Sequence, residues 1–246
     1  HKMQRINVEK VCKKFRLGQK NQSALARVKS IFSGGKSREV WGLKNISFGL
    51  SEGEIVGIIG KNGSGKSSLL RVIAGIYQED MGEITVNGKL LPLINLNIGM
   101  YPRLTMHDTI FLVGSLMDLG KKDIQQKFDS IVKFAELEEF IYTRIHKFSE
   151  GMKQRLAFSI AIHSNPDILL VDEVFEVGDE GFKERSVEAI HKMVREGMSV
   201  LLVSHDLDMV KKHCQRLILM DKGEIIREGK NDEIIEYYKL LVDKDT

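Results

Sequence analysis

The stretch "GKNGSGKSS" (60–68) follows the apolar run "EIVGII" (54–59) without a break. A strand that empties into glycines, lysines and serines is not ending in a packing surface. Gly60-x-x-x-x-Gly65-Lys66-Ser67 is the P-loop pattern. Its glycines let the backbone turn N–H groups inward on an anion. Lys66 can reach the β- and γ-phosphates, and the Ser67 hydroxyl suits Mg²⁺. Leu69, Leu70, Val72 and Ile73 read as the apolar face of a helix whose N-terminal end adds partial positive charge. A glycine-rich linker has a similar composition, but the strand before and the helix after favour the phosphate loop. The residues expected to hold a nucleotide here are Asn62, Gly63, Ser64, Gly65, Lys66, Ser67 and Ser68.

A phosphate loop needs a second acid for the metal. In "ILLVDE" (168–173) an apolar strand ends in Asp172 and Glu173. Ligands of open α/β sheets bind at the carboxyl ends of strands. Asp172 is therefore expected to hold Mg²⁺ through water, and Glu173 to orient the attacking water. "LLVSHD" (201–206) repeats the logic and ends in His205, placed to donate to a γ-phosphate.

Outward from these strands the chain reads as an α/β core interrupted by a helical stretch. Strands are predicted at 4–11, 40–50 and 54–59, with a strand-rich region at 83–94 that turns as a hairpin at Asn87-Gly88. Helices dominate from about 105 to 165, Thr105 capping one with Asp108 three residues on. Ile124, Phe128, Ile131, Val132 and Ala135 mark one apolar face. Strand and helix then alternate to a hairpin over 216–229, turning at Asp221-Lys222-Gly223. Within 18–38, Ala24, Leu25, Val28, Ile31 and Phe32 fall at helical spacing. Such an amphipathic helix packs on its own domain or touches a partner or membrane surface.

Bulk composition narrows the class. The chain has 246 residues and a formal charge of +3 from 37 basic and 34 acidic side chains, a balance that does not suggest a nucleic-acid binder. Cys12 and Cys214 have neither disulfide-framework nor zinc spacing and fit a reducing compartment. No apolar run approaches a membrane span, and the N-terminus has no apolar signal region.

"FSEGMKQRL" (148–156) resembles the signature motif of ABC transporter ATPases, usually LSGGQ followed by a basic helix. Phosphate loop, signature, Asp-Glu strand and switch His follow in that family's order, from about Met3 to Tyr238. The resemblance implies an α/β fold: a P-loop NTPase of ABC type, with a mixed-sheet core, an antiparallel β subdomain and an inserted α-helical subdomain. It implies a single domain: 1–94 and 166–230 as core, about 95–165 as helical subdomain, about 18–38 as inserted segment and 231–246 as C-terminal helix. It also implies two copies sandwiching ATP and Mg²⁺, Ser149 and Gly151 of one facing the γ-phosphate held by the other, with Glu173 and His205 as the catalytic pair. "EVFEVGDEGF" (173–182), "PRLT" (102–105), "FAELEEFI" (134–141) and the insert look like the ATPases of O-antigen, capsular polysaccharide and teichoic acid exporters. By that likeness the insert touches a membrane or permease, and Asp179 is the acid of a loop crossing the dimer interface. The subunit would sit on the cytoplasmic face of the membrane beside a separate permease. Substrate choice would lie in that permease, because 231–246 makes only one helix.

This sequence departs from the family pattern at several points. Asn95 stands where a Gln is usual, and Glu150 and Met152 replace a signature Gly and Gln. A carboxylate at 150 would repel the opposing phosphate unless it points away. For the adenine ring, Phe15 matches the family position and Trp41 is the rival after the insertion. Two other classes remain in view: a soluble ABC-type ATPase acting on nucleic acid or ribosomes, and a non-catalytic nucleotide-sensing module. The first is disfavoured by balanced charge and a single ATPase unit, the second by intact Lys66, Asp172, Glu173 and His205.

Overall fold

A computed structural model describes residues 3–17, 38–94, 96–172 and 179–243. The insert helix predicted within 18–38, Asn95 and Glu173 lie outside the described residues.

Two sheets carry the fold. β2 (Arg38–Ser51), β1 (Gln4–Leu17) and β4 (Met81–Val86) form an antiparallel sheet in that order. The second sheet runs β5 (Leu90–Leu93), β6 (Ile168–Asp172), β7 (Ser199–Val203), β3 (Ile55–Ile59), β8 (Arg216–Asp221), β9 (Glu224–Gly229). Its first five strands are parallel, and β9 folds back antiparallel on β8, as the turn at 221–223 predicts. The helices are α1 (Lys66–Ile73), α2 (Met106–Leu116), α3 (Lys121–Ala135), α4 (Glu150–His163), α5 (Glu180–Arg195), α6 (Leu207–His213) and α7 (Asn231–Asp243).

The central strands are apolar throughout because both of their faces are covered. Leu169, Val171, Val200 and Leu202 point into a core shared with α2–α7. Their neighbours Ile168, Leu170, Leu201 and Val203 point into a second core shared with α1 and the antiparallel sheet. Parallel backbone pairing holds β6, β7, β3 and β8 edge to edge and brings their carboxyl ends to one rim, where residues 60–65 follow β3.

One expectation fails. Asn87-Gly88 does not make a hairpin: β4 pairs with β1 in the first sheet, and β5 pairs with β6 in the second. Asn87 spends its hydrogen bonds on β1, its N–H on the Arg5 carbonyl at 2.8 Å and its Nδ2 on the Gln4 carbonyl at 2.9 Å. The Lys89 N–H turns to Asp167 Oδ2 at 2.7 Å. The apolar "LLPL" of β5 suits a parallel edge strand, where Pro92 is tolerated, better than a return strand beside the half-exposed β4.

The helical stretch holds as expected. Thr105 Oγ1 accepts the Asp108 N–H at 3.1 Å and donates to its carboxylate at 2.7 Å, capping α2. Thr105→Ala should cost about 1 kcal/mol, read as a lower urea midpoint at unchanged slope. Ile124, Ile131, Val132 and Ala135 of α3 are buried, with Phe128 packed beside them.

Candidate functional site

β3 ends at Ile59, and the chain turns through 60–65 into α1. Gly65 caps that helix at φ +105, a conformation that L side chains rarely adopt. A Cβ there would stand 2.9 Å from the Gly42 carbonyl of β2. Among the described residues no side chain caps α1 and no acid lies in its first turn, so its partial positive N-terminal end suits an anion. Asn62 and Gly63 are exposed, and among the described residues a Cβ on Gly63 would meet nothing within 4 Å. Ser64 is buried, its N–H bonded to the Lys61 carbonyl at 3.1 Å.

Lys66 is folded back into the loop. Its ammonium donates to the Gly60 carbonyl at 2.8 Å and the Lys61 carbonyl at 3.0 Å, and the residue is only 7% exposed. These carbonyls keep a cation at the loop's centre. Ser67 Oγ donates to Asp172 Oδ1 at 3.3 Å, joining the start of α1 to the end of β6. A hydroxyl and a carboxylate are hard oxygen donors. They suit Mg²⁺, which takes few protein ligands and completes its shell with water and phosphate. Ser68 lies half-buried in the same first turn.

Sequence reasoning did not foresee what steadies this loop. The Gly223 N–H of the β8–β9 turn donates to the Ser64 carbonyl at 2.9 Å, and the Gly223 carbonyl accepts the Lys44 N–H at 2.8 Å. Gly223 has φ +83, and a Cβ there would lie 2.6 Å from the Gly42 carbonyl. The last turn of the sheet is therefore wedged between phosphate loop and β2. Lys61 also reaches α7, its Nζ 3.5 Å from the Leu241 carbonyl.

His205 is exposed and follows β7, which pairs with β6 on one side and β3 on the other. That places it on the same rim as Lys66 and Asp172. The next residue, Asp206, caps α6 by accepting the Asp208 and Met209 N–H groups at 2.9 and 3.0 Å.

Both aromatic candidates flank Gly42, whose carbonyl approaches Gly65. The half-buried Phe15 packs its ring over Gly42 and edge-on against Tyr77 at 5.6 Å. Trp41 is 38% exposed and carries the Lys14 ammonium 4.5 Å above its ring centroid. Tyr77, itself exposed, is a third aromatic here; it carries no motif and was not anticipated from sequence.

The signature residues lie on a separate element. Ser149 caps α4 and accepts the Met152 N–H at 3.2 Å. Among the described residues the nearest atom that a Cβ on Gly151 would meet across space is Ser149 Oγ at 4.0 Å, so packing within this part of the chain does not require glycine there. Glu150 is tied down: one oxygen accepts from Asn97 Nδ2 at 3.1 Å and the other lies 3.4 Å from Lys153 Nζ. Arg155 of the same helix pairs with Glu136 at 3.3 Å and Asp179 at 3.6 Å.

Asp179 caps α5, accepting the Phe182 N–H at 3.0 Å. That bond, followed by Arg155 and Arg185 nearby, holds its carboxyl below the usual Asp value of 3.8. A depressed acid stabilises the fold above its unfolded pKa and loses that contribution as pH falls through the folded one. Asp179→Asn should therefore flatten the acid limb of a stability–pH profile below about pH 3.8 and leave neutral pH little changed.

The family profile described as ABC transporter matches residues 43–176. Over 239 residues the chain is 37% identical to the "Teichoic acids export ATP-binding protein TagH" of Lactococcus lactis subsp. lactis, covering 97% of this chain and 51% of that one. Over 204 residues it is 36% identical to an "O-antigen export system ATP-binding protein RfbB" of Klebsiella pneumoniae, covering 83% of each. The chain thus spans about half the length of the Lactococcus relative and most of the Klebsiella one. A solved dimeric ATP-binding cassette, in a post-hydrolysis state with ADP and Pi, superposes with TM-score 0.73 at 23% identity, covering 92% of this chain and 98% of that one. An ATP-binding subunit of an ABC transporter gives TM-score 0.74 at 21% identity, covering 96% and 93%.

Proposed function

This chain belongs to the ABC transporter family, and from that premise we propose that it is the ATP-hydrolysing subunit of a polysaccharide exporter. In this reading it powers movement of a lipid-linked polysaccharide or polyol-phosphate polymer across the cytoplasmic membrane, together with a separate permease. The observation that carries the chemistry is the meeting of Lys66, Ser67 and Asp172 at one rim of the sheet. The polymer class follows from the relatives named for teichoic acid and O-antigen export. Among the described residues no helix is long and apolar enough to cross a membrane, in keeping with a peripheral position against the permease.

Two copies meet head to tail. Lys66 swings from the Gly60 and Lys61 carbonyls to the β- and γ-phosphates, while the amides of 63–68 and the start of α1 take the remaining oxygens. Ser67, and Asp172 through water, would hold Mg²⁺, which would supply charge neutralisation for the phosphates. Trp41, Phe15 or both stack on adenine. Ser149 and Gly151 of the second copy close on the γ-phosphate. Glu150 does not oppose them, because Asn97 and Lys153 hold its carboxylate. Asp179 crosses to the partner from the start of α5. Asn95 takes part in the link to the helical subdomain, through which closure reaches the permease. Glu173 orients the attacking water and His205 donates to the γ-phosphate. The catalysis is positioning plus electrostatics.

Removing the chain from its host should strip the polymer from the cell surface and leave lipid-linked polymer inside. Only a copy with Lys66 intact should restore export. Unchanged surface polymer in the deletion strain would end the export reading. Binding of the purified chain to ribosomes or nucleic acid would transfer it to the soluble class.

A further inference from the structure

Away from the phosphate loop two imidazoles meet. His191 Nε2 on α5 lies 2.8 Å from His213 Nδ1 at the end of α6, with ring centroids 5.1 Å apart. Both rings are half-buried and line a groove of about 540 Å³ with Glu184, Glu188, Met209 and Lys212. At this separation one nitrogen donates and the other accepts, so the contact needs at least one unprotonated nitrogen between the rings.

The two helices leave the same rim of the sheet. α5 lies between β6 and β7, and α6 between β7 and β8, so both run back from the strand ends that carry Asp172 and His205. Asp179 starts α5, and His205 immediately precedes the cap of α6. The pair therefore joins the far ends of two helices whose near ends reach the site. Phe182, Ile190, Met209 and Val210 pack into the core beneath them, and the His–His bond adds a directional polar contact between the two helices.

We propose that His191 is a positioning residue for His205: by its hydrogen bond to His213 it pins α6 to α5 and sets where His205 stands beside the phosphate loop. The inference rests on the ATPase reading above. It carries a pH signature. One added proton leaves an imidazolium donating to a neutral ring; a second sets two N–H groups against each other and breaks the pin. Lys183, Glu180, Glu184 and Glu188 of α5 and Lys212 of α6 line the groove, and Arg195 lies further along α5. On the α7 side, Asp232 is held by Lys211 at 2.6 Å. Burial first, then Arg195 and Lys212, lowers the pKa of His191 from its ordinary 6.5. The pin is therefore whole at neutral pH and lost on acidification below the ordinary histidine range.

His191→Gln tests this, because its carboxamide can donate to or accept from His213 and does not titrate. His191→Leu removes the bond. Between about pH 7.5 and 5.5 the wild-type kcat should fall about tenfold further than that of His191→Gln, at matching KM for ATP. His191→Leu should have low kcat at both. In histidine NMR spectra of the full chain, the His205 ring signal should follow the acidic step of the pair in wild type and not in His191→Gln. Superposing kcat profiles, or a His205 signal blind to that step, would overturn the proposal. Absence of ATP hydrolysis at every pH would sink the ATPase reading alone, and the NMR comparison would still decide the pin.

Discussion

Lys66→Ala protein should bind ATP·Mg²⁺ about a hundredfold more weakly than wild type by calorimetry, close to 2.7 kcal/mol, within the range for charge-assisted hydrogen bonds. Two effects add. The substitution removes the cation that the proposed mechanism turns toward the β- and γ-phosphates. It also leaves the Gly60 and Lys61 carbonyls, now bonded to Lys66 at 2.8 and 3.0 Å, aimed at the incoming anion without a cation between them. Thermal unfolding of the same preparation separates lost affinity from lost fold. A folded variant with unchanged affinity would remove residues 60–68 from the nucleotide site.

Glu173→Gln should do the opposite: keep ATP affinity within about threefold and lower turnover by about 10²–10³, the loss of one group that orients and polarises the attacking water. Binding is spared because Lys66, Ser67 and the amides of α1 are untouched. The consequence can be seen by light scattering. With hydrolysis stalled, ATP·Mg²⁺ should hold the protein as a dimer, Ser149 and Gly151 of each copy closed on the other's nucleotide. Normal turnover would take Glu173 out of the catalytic role. A stalled enzyme that binds ATP yet stays monomeric would show that a signature carrying Glu150 and Met152 does not close without the permease.

What could be read from sequence was whatever a local pattern determines. The apolar strands 168–172 and 199–203, the cap at Thr105 and the hairpin at 221–223 depend on near neighbours, and all three are present. Gly65 and Lys66 stand out in the sequence because the P-loop pattern restricts consecutive residues. The turn at Asn87-Gly88 was misread because its local chemistry suits a hairpin. The decision is made elsewhere, by Gln4, Arg5 and Asp167, which draw the two flanking strands into different sheets. The Glu150–Asn97 contact, the bridge from Arg155 to Asp179 and the His191–His213 pair were invisible for the same reason. Each joins residues far apart in sequence, and no spacing rule connects them. Phe15 and Trp41 both lie beside Gly42, so backbone placement does not choose the adenine platform.

The wedge at Gly223 has a consequence for how the molecule comes into being. Residues 60–68 are made well before the N–H that holds the Ser64 carbonyl, which belongs to the β8–β9 turn. β3, which presents the loop, is likewise flanked by β7 and β8, both much later in the sequence. A nascent chain on the ribosome therefore carries every residue of the phosphate cradle long before it has the cradle's shape. ATP should give such a chain no protection from protease until the β8–β9 turn has emerged, and protection should then appear in one step.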